Sequence, residues 1–195
     1  MASGGIFPRM LRAAKLEPAL YEEVEADQGG TGQALLVVVL VSLCTGIGHG
    51  IGALIKGGPG GVTGLFIGLA SGIIGALVVW FIFSLLCYWL GTSLFKGPDT
   101  KSTLGELQRV LGFAYSPGVL NILSFIPYVG SAVPLVTWVW TIIASVIGVR
   151  QACDFTTGRA VGTVLVAAII PLIIMILIGL LVGGAFAALM GAAAQ

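Results

Sequence analysis

The sequence predicts an all-α protein, a polytopic bundle of about five transmembrane helices. Its composition is the first reason, because 57% of the 195 residues are hydrophobic and only 9% are charged. The positions of the charges are the second reason. All acidic residues, and every Lys and Arg except Lys56, lie in the segments 1–32, 96–109 and 150–160. The apolar runs between these segments approach or exceed the ~20 residues that cross ~30 Å of hydrocarbon as a helix.

The apolar runs predict where the spans lie. We expect them at about 33–55, 66–92, 110–126, 130–149 and 162–190. The run that holds the second span extends from Val62 to Phe95. That helix is therefore expected to tilt or to extend past the membrane interface.

The third span is the weakest, because the sequence Ser116-Pro117-Gly118 interrupts it. A second break, from Ile126 to Gly130, predicts a tight reversal into the fourth span. Two arrangements stay open for residues 110–149. Either both segments cross the membrane fully, or they form a hairpin that dips into it where neighbouring protein satisfies the freed backbone groups.

The basic residues predict the orientation, since Lys and Arg accumulate on the cytoplasmic side of membrane helices. On a five-span path Lys56 lies on one side, and the other basic residues lie on the opposite side: Arg9, Arg12, Lys15, Lys96, Lys101, Arg109, Arg150 and Arg159. We therefore expect a cytoplasmic N-terminus. The chain then divides into a cytoplasmic amphipathic segment, 1–32, and a five-span transmembrane domain, 33–195.

The segment 6–25 is amphipathic, and it predicts a short interfacial helix that begins near Pro8 and ends at Pro18. The apolar side of this helix holds Phe7, Met10, Leu11 and Ala14, and its basic side holds Arg9, Arg12 and Lys15. A basic face of this kind favours anionic lipid headgroups. A solvated linker and a site for docking another protein are the alternatives.

Glycine spacing is the clearest pattern inside the membrane. Small residues repeat every four positions in two ladders, Gly60, Gly64, Gly68 and Gly72, and Gly179, Gly183, Ala187 and Gly191. Shorter pairs with the same spacing lie in the first span, Gly46 with Gly50 and Gly48 with Gly52. Each ladder gives a flat ridge that another helix can approach closely. The ridges serve packing within the bundle or, for at least one of them, contact with another subunit.

His49, the only histidine, lies between Gly48 and Gly50 in the first span. An ionisable group inside a membrane is a candidate for function, and the two glycines would let a flat tetrapyrrole approach the imidazole. A hydrogen-bonded histidine near the interface explains the residue equally well, so no cofactor is predicted.

The sequence also argues against several classes of function. The spans contain no Asp or Glu, and the three cysteines form no C-x-x-C pair, so we predict no catalytic residue and no metal site. A net charge of +1 argues against nucleic acid as a partner, because binding a duplex requires many Lys and Arg.

Two stretches are specific enough to resemble a known family. The first runs from Leu104 to Pro117, LGELQRVLGFAYSP, and the second from Val149 to Ala160, VRQACDFTTGRA. Together they resemble the bacterial branch of the Yip domain family, the Ypt/Rab-interacting membrane proteins. The resemblance implies a five-span helical protein with a cytoplasmic N-terminus, and it does not imply catalysis. The eukaryotic relatives are membrane adaptors in vesicle traffic that contact small GTPases, and they carry an Asp-Leu-Tyr-Gly-Pro motif that is absent from this sequence.

The charged residues at the cytoplasmic ends of spans three to five indicate a function through contacts. We expect Arg109, Arg150, Asp154 and Arg159 to meet there and either tie the loops together or bind a lipid phosphate. The protein is then a non-enzymatic scaffold or accessory subunit of a membrane protein assembly in a prokaryotic cytoplasmic membrane.

The expected partners are the lipid bilayer, including anionic lipids, and other membrane subunits or further copies of the chain. A channel or passive transporter of small solutes is the first alternative function. A membrane subunit that carries haem or chlorophyll through His49 is the second.

Overall fold

The computed structural model describes residues 4–55, 57, 61–98 and 100–173, and these residues form helices and turns with no β-strand among them. The helices are α1 (Ile6–Ala14), α2 (Pro18–Ala26), α3 (Thr31–Ile55), α4 (Gly61–Thr92), α5 (Leu104–Ala114), α6 (Val133–Ala152) and α7 (Thr157–Ile173). Two 3₁₀ segments, Gln28–Gly30 and Ser116–Phe125, precede α3 and follow α5. The all-helical prediction is confirmed.

Three of these helices, α3, α4 and α6, are long and apolar enough to cross a membrane. They coincide with the first, second and fourth predicted spans. At 1.5 Å per residue, the 32 residues of α4 make a helix of about 48 Å, which exceeds the hydrocarbon thickness as expected. α7 contains the start of the fifth predicted span, and residues 174–190 of that span lie outside the described residues.

The third predicted span consists of two kinds of helix in succession. The α-helix α5 ends at Ala114, and a ten-residue 3₁₀ segment follows it and ends at Phe125. Pro117 explains the change, because it lacks a backbone N–H and cannot continue the α-helical bonding. A 3₁₀ helix rises about 2.0 Å per residue, against 1.5 Å for an α-helix. The segment is therefore longer than an α-helix of the same number of residues.

The extra length brings this segment into register with α3, which runs parallel to it. Gly112 lies beside Ala34, and Gly118 lies beside Val41. Further along, Phe125 lies beside Gly52. The segment thus spans the same depth as α3 with fewer residues, before the predicted reversal at 126–130 leads into α6. The number of full crossings, five, stays a prediction.

α1 and α2 fold back against the bundle and pack on α5, α6 and the 3₁₀ segment. Pro18 is the first residue of α2, so the amphipathic segment forms two helices where the sequence predicts one. Tyr21 is fully buried, and its ring lies against Gly148 of α6. Val110 of α5 contacts the same glycine. Trp140 of α6 donates a hydrogen bond to the carbonyl of Ala14 at 2.9 Å. We use the name N-terminal head for α1, α2 and the ends of α5 and α6 that these two helices cover.

Close approaches between elements occur at Gly46, Gly48 and Gly50 of α3, which belong to the shorter glycine pairs of the sequence. A methyl group on Gly48 would overlap the backbone oxygen of Asn121. Gly46 and Gly50 likewise accommodate the side chains of Leu69 and Leu65 from α4. Backbone atoms cannot give way as a flexible side chain can. Gly48 is therefore the position where α3 meets the 3₁₀ segment most rigidly.

Replacing Gly48 with Ala should destabilise the fold by about 1–3 kcal/mol, the usual cost of an overpacked contact. Gly68→Ala in α4 is the matched control, because an added methyl group there meets no described atom within 4 Å. Its effect should stay within about 0.5 kcal/mol. Unfolding in a denaturing-detergent titration measures both free energies. Equal effects of the two substitutions would contradict this packing.

Candidate functional site

Arg9 lies at the centre of an ion-pair network in the N-terminal head, with only 4% of its side chain exposed. Its Nε donates to Glu23 Oε1 at 3.0 Å, and its Nη1 donates to Asp27 Oδ2 at 2.8 Å and to Gln33 Oε1 at 3.0 Å. Because Gln33 lies in the first turn of α3, Arg9 ties both N-terminal helices to that helix. A buried guanidinium needs such partners, since an unpaired buried charge is strongly destabilising.

Arg12 completes the network on its more exposed side. Its Nε donates to Glu17 Oε2 at 3.0 Å, and its Nη1 donates to Glu23 Oε2 at 2.6 Å. These bonds hold the pKa of Glu23 below its ordinary value, first through Arg12 and then through Arg9. The bond from Arg9 likewise lowers the pKa of Asp27. α1 and α2 therefore neutralise each other's charges.

The exposed face of α1 differs from the basic face that the sequence pattern indicates. Arg9 and Arg12 bind carboxylates of α2, whereas Phe7 and Leu11 are 71% and 58% exposed and Lys15 is also exposed. An interfacial role for α1 stays a prediction, and it now depends on the exposed residues. Charge patterning missed the pairing because the partners of Arg9 in α2 lie 14 and 18 residues further along the chain.

Arg109 joins α5 to the end of α2. It is buried, and its Nε donates to the carbonyl of Val24 at 3.0 Å while its Nη2 donates to the carbonyl of Glu25. The last carbonyls of a helix lack partners within the helix and carry the negative end of its dipole. The guanidinium donates hydrogen bonds to these carbonyls, and its positive charge compensates the negative end of the helix dipole. Arg109 thus acts as a tether, which is one of the two roles that the sequence allows for it.

Arg150 and Asp154 line a small polar cleft of about 580 Å³ between α2 and the end of α6. Arg150 Nε donates to Gln151 Oε1 at 3.0 Å, and Gln151 Nε2 donates to Glu22 Oε1 at 2.6 Å. Arg159 lies elsewhere, with its guanidinium against Gly97. Of the four loop residues that the sequence places together, the structure brings two to one cleft. Arg109 and Arg159 have separate surroundings.

Glu25 lines the same polar cleft and has the least favourable surroundings of the carboxylates around it. Burial raises its pKa to about 7, the nearby charges of Glu106 and Asp154 add to the rise, and Arg109 opposes it. Its backbone carbonyl nevertheless accepts the bond from Arg109 that holds α2 in place. Ionisation of this carboxyl group is therefore expected to weaken the packing of the head around the end of α2.

A larger cleft of about 830 Å³ lies at the level of the long apolar helices, between α3, α4, the 3₁₀ segment, α6 and α7. We call it the membrane cleft. One of its walls is the ridge of Gly64, Gly68 and Gly72 on α4, so these three ladder residues share one face. The remaining residues of the two ladders, Gly60, Gly179, Gly183, Ala187 and Gly191, lie outside the described residues.

A polar band crosses the wall opposite this ridge. Asn121 of the 3₁₀ segment donates from Nδ2 to Thr45 Oγ1 of α3 at 3.2 Å. Its Oδ1 accepts a hydrogen bond from Thr137 Oγ1 of α6 at 2.7 Å. Asn121 thus joins three elements at one depth. Nothing in the sequence identifies Thr45 and Thr137 as the partners of Asn121.

His49 also lines the membrane cleft, but the space beside its flanking glycines is filled. The backbone of Asn121 and Ile122 covers Gly48, and the side chain of Leu65 covers Gly50. The clearance that a flat macrocycle would need at these two positions is therefore absent from the described structure. In the same residues, no group of three His, Cys, Asp or Glu side chains converges as a metal site would require.

The stability of the head should fall as the pH rises from about 5 to about 8. A carboxyl group with a raised pKa in the folded state keeps its proton where the unfolded chain has lost it, and this gain disappears once the pH passes about 7. Glu23 and Asp27 titrate below this window, because their pKa values are lowered. Hydrogen exchange of the α2 amides, corrected for intrinsic rates, measures the change. Glu25→Gln should remove it, and an unchanged pH dependence in that variant would disprove the assignment.

Comparison with known families agrees with the architecture. The chain matches the family model of the Yip1 domain over residues 17–182, a range that includes α2 to α7. No curated protein and no solved structure matches the chain. The match covers most of the sequence, and three helices have the length and composition of membrane spans. The protein is therefore a member of the Yip1 domain family and an integral membrane protein.

Proposed function

We propose that this protein is a non-enzymatic scaffold or accessory subunit of a membrane protein assembly, in the cytoplasmic membrane of a prokaryote. The observation that carries the proposal is the rigid attachment of the head to the apolar helices. Arg109, buried in α5, bonds two carbonyls at the end of α2, and Arg9 bonds α2 and α3. A fixed head beside lipid-facing helices presents a constant surface to other subunits.

Two kinds of surface are available for such contacts. On the head, Phe7 and Leu11 of α1 are exposed and give it an apolar surface. Lys15 next to them would favour anionic lipid headgroups. In the membrane, α4 is the least covered of the long helices. Its exposed side chains, such as Phe66 and Ile74, face lipid, other subunits or a second copy of the chain.

The packing of the head favours a contact function over a channel. A passive pore needs a continuous path for the solute from one side of the membrane to the other. The membrane cleft forms only part of such a path. Towards the head, the space between the helices is filled by fully buried side chains, among them Tyr21, Leu107 and Phe113. The membrane cleft therefore favours binding over conduction. A scaffold is consistent with this cleft and with the closely packed head.

Arg109→Ala should release the head and reduce the size of the native complex. The substitution leaves two α2 carbonyls without their donor, at a cost of about 1–3 kcal/mol. Lys101→Ala is the control, because Lys101 is exposed in the loop before α5. Limited trypsin cleavage in the 1–26 segment reports release of the head, and native electrophoresis of mild-detergent extracts reports complex size.

Both readouts should change in Arg109→Ala and neither in Lys101→Ala. Release of the head with no change in complex size would show that the head does not carry the contact. A wild-type protein that migrates as a monomer in gentle extracts would contradict the scaffold proposal as a whole.

A further inference from the structure

We propose that the membrane cleft binds a long-chain lipid whose head is small and uncharged, with a hydroxyl or carbonyl oxygen that accepts a hydrogen bond from Asn121. The lipid's chain lies along the glycine ridge of α4, and its head lies at the polar band. This site is separate from the contacts of the head on which the proposed scaffold function rests.

The hydrogen-bonding capacity of Asn121 is the first reason. A side-chain amide has two N–H donors and an oxygen with two lone pairs. In the described structure one N–H bonds Thr45, and one lone pair accepts the bond from Thr137. One donor and one acceptor site therefore remain on a half-buried side chain that lines the cleft. At membrane depth no bulk water satisfies them, and an unsatisfied polar group there is costly.

The charge of the lining is the second reason. Among the described residues that line the membrane cleft there is no Asp, Glu, Lys or Arg. An ionised head would lose its hydration there without gaining a counter-charge. A neutral hydroxyl or carbonyl group loses less, and Asn121 replaces one of its hydrogen bonds. The site thus selects against fatty acids and phospholipid headgroups.

The shape of the cleft is the third reason. At Gly68 and Gly72 an added methyl group would meet no described atom within 4 Å, so the ridge borders open space. A volume of about 830 Å³ lies in the range of sites for small organic ligands. The opposite wall contains Gly118 and Asn121 of the 3₁₀ segment, which is ten residues long although this conformation rarely extends beyond 3–4 residues. Irregular backbone of this kind occurs at membrane depth where it lines a cavity.

Two photoreactive probes with the same chain test the head group. The full-length protein in phosphatidylcholine nanodiscs is irradiated with hexadecanol or with hexadecanoic acid, each carrying a diazirine near its head. The labelled positions are then mapped by mass spectrometry. The alcohol should label residues that line the cleft about five-fold more than the acid, because the carboxylate would lose its hydration there without gaining a counter-charge, and a difference of about 1 kcal/mol corresponds to that ratio.

Three variants test the site. Gly72→Leu should fill the cleft without disturbing packing and remove the labelling. Asn121→Leu should reduce labelling by the alcohol about five-fold, because a lost hydrogen bond of about 1 kcal/mol corresponds to that ratio. Ala70→Leu is the matched control, since Ala70 is exposed on α4 and does not line the cleft. The proposal is overturned by equal labelling with both probes, or by labels spread over outward residues such as Phe66 and Ile74. It is also overturned if the cleft stays unlabelled, because protein would then occupy it.

Discussion

The fold depends on how a broken segment at membrane depth satisfies its backbone. Pro117 ends the α-helical bonding of the third apolar run, and hydrocarbon offers no water to the groups that this releases. The chain forms a 3₁₀ segment here, and the backbone of this segment lies directly against Gly48. The side chain of Asn121 in the segment forms hydrogen bonds with α3 and α6. Without a residue as small as Gly48 the contact would not close. The depth of the segment, the position of α6 and the membrane cleft all follow from this one approach.

A second constraint acts where the helices leave the membrane. Five charged residues of the head lie within one ion-pair network: Arg9, Arg12, Glu17, Glu23 and Asp27. Burial of such a network is not strongly stabilising in itself, but removing one partner leaves a charge without compensation. The network therefore specifies one arrangement of α1 and α2. Arg109 adds to this specificity, because it recognises the end of α2 by its carbonyls and not by a side chain.

Hydropathy and charge position were sufficient to predict the long helices, because both depend on neighbouring residues in the sequence. α3, α4 and α6 begin and end within a few residues of the predicted spans. The 3₁₀ conformation of 116–125 was not predictable, although Pro117 and Gly118 indicated a break there. The contacts of the candidate site were still harder to predict, because their partners are far apart in the sequence. Arg109 and its acceptor at Val24 are separated by 85 residues, and Asn121 and Thr45 by 76. Glycine spacing identified a ridge but not its surroundings, since a small residue permits a close approach without specifying what approaches.

α6 connects the two regions mechanically. It carries Thr137 in the polar band, Trp140 against α1, and Gln151 against α2. The interval from Thr137 to Gln151 is an uninterrupted α-helix of about 21 Å, which moves as a rigid unit. The hydrogen bond of Trp140 to Ala14 lies between the two ends, so α1 cannot shift without disturbing the helix that closes the cleft. The cleft and the head are therefore parts of one packed body, and occupancy of the first is expected to alter the stability of the second.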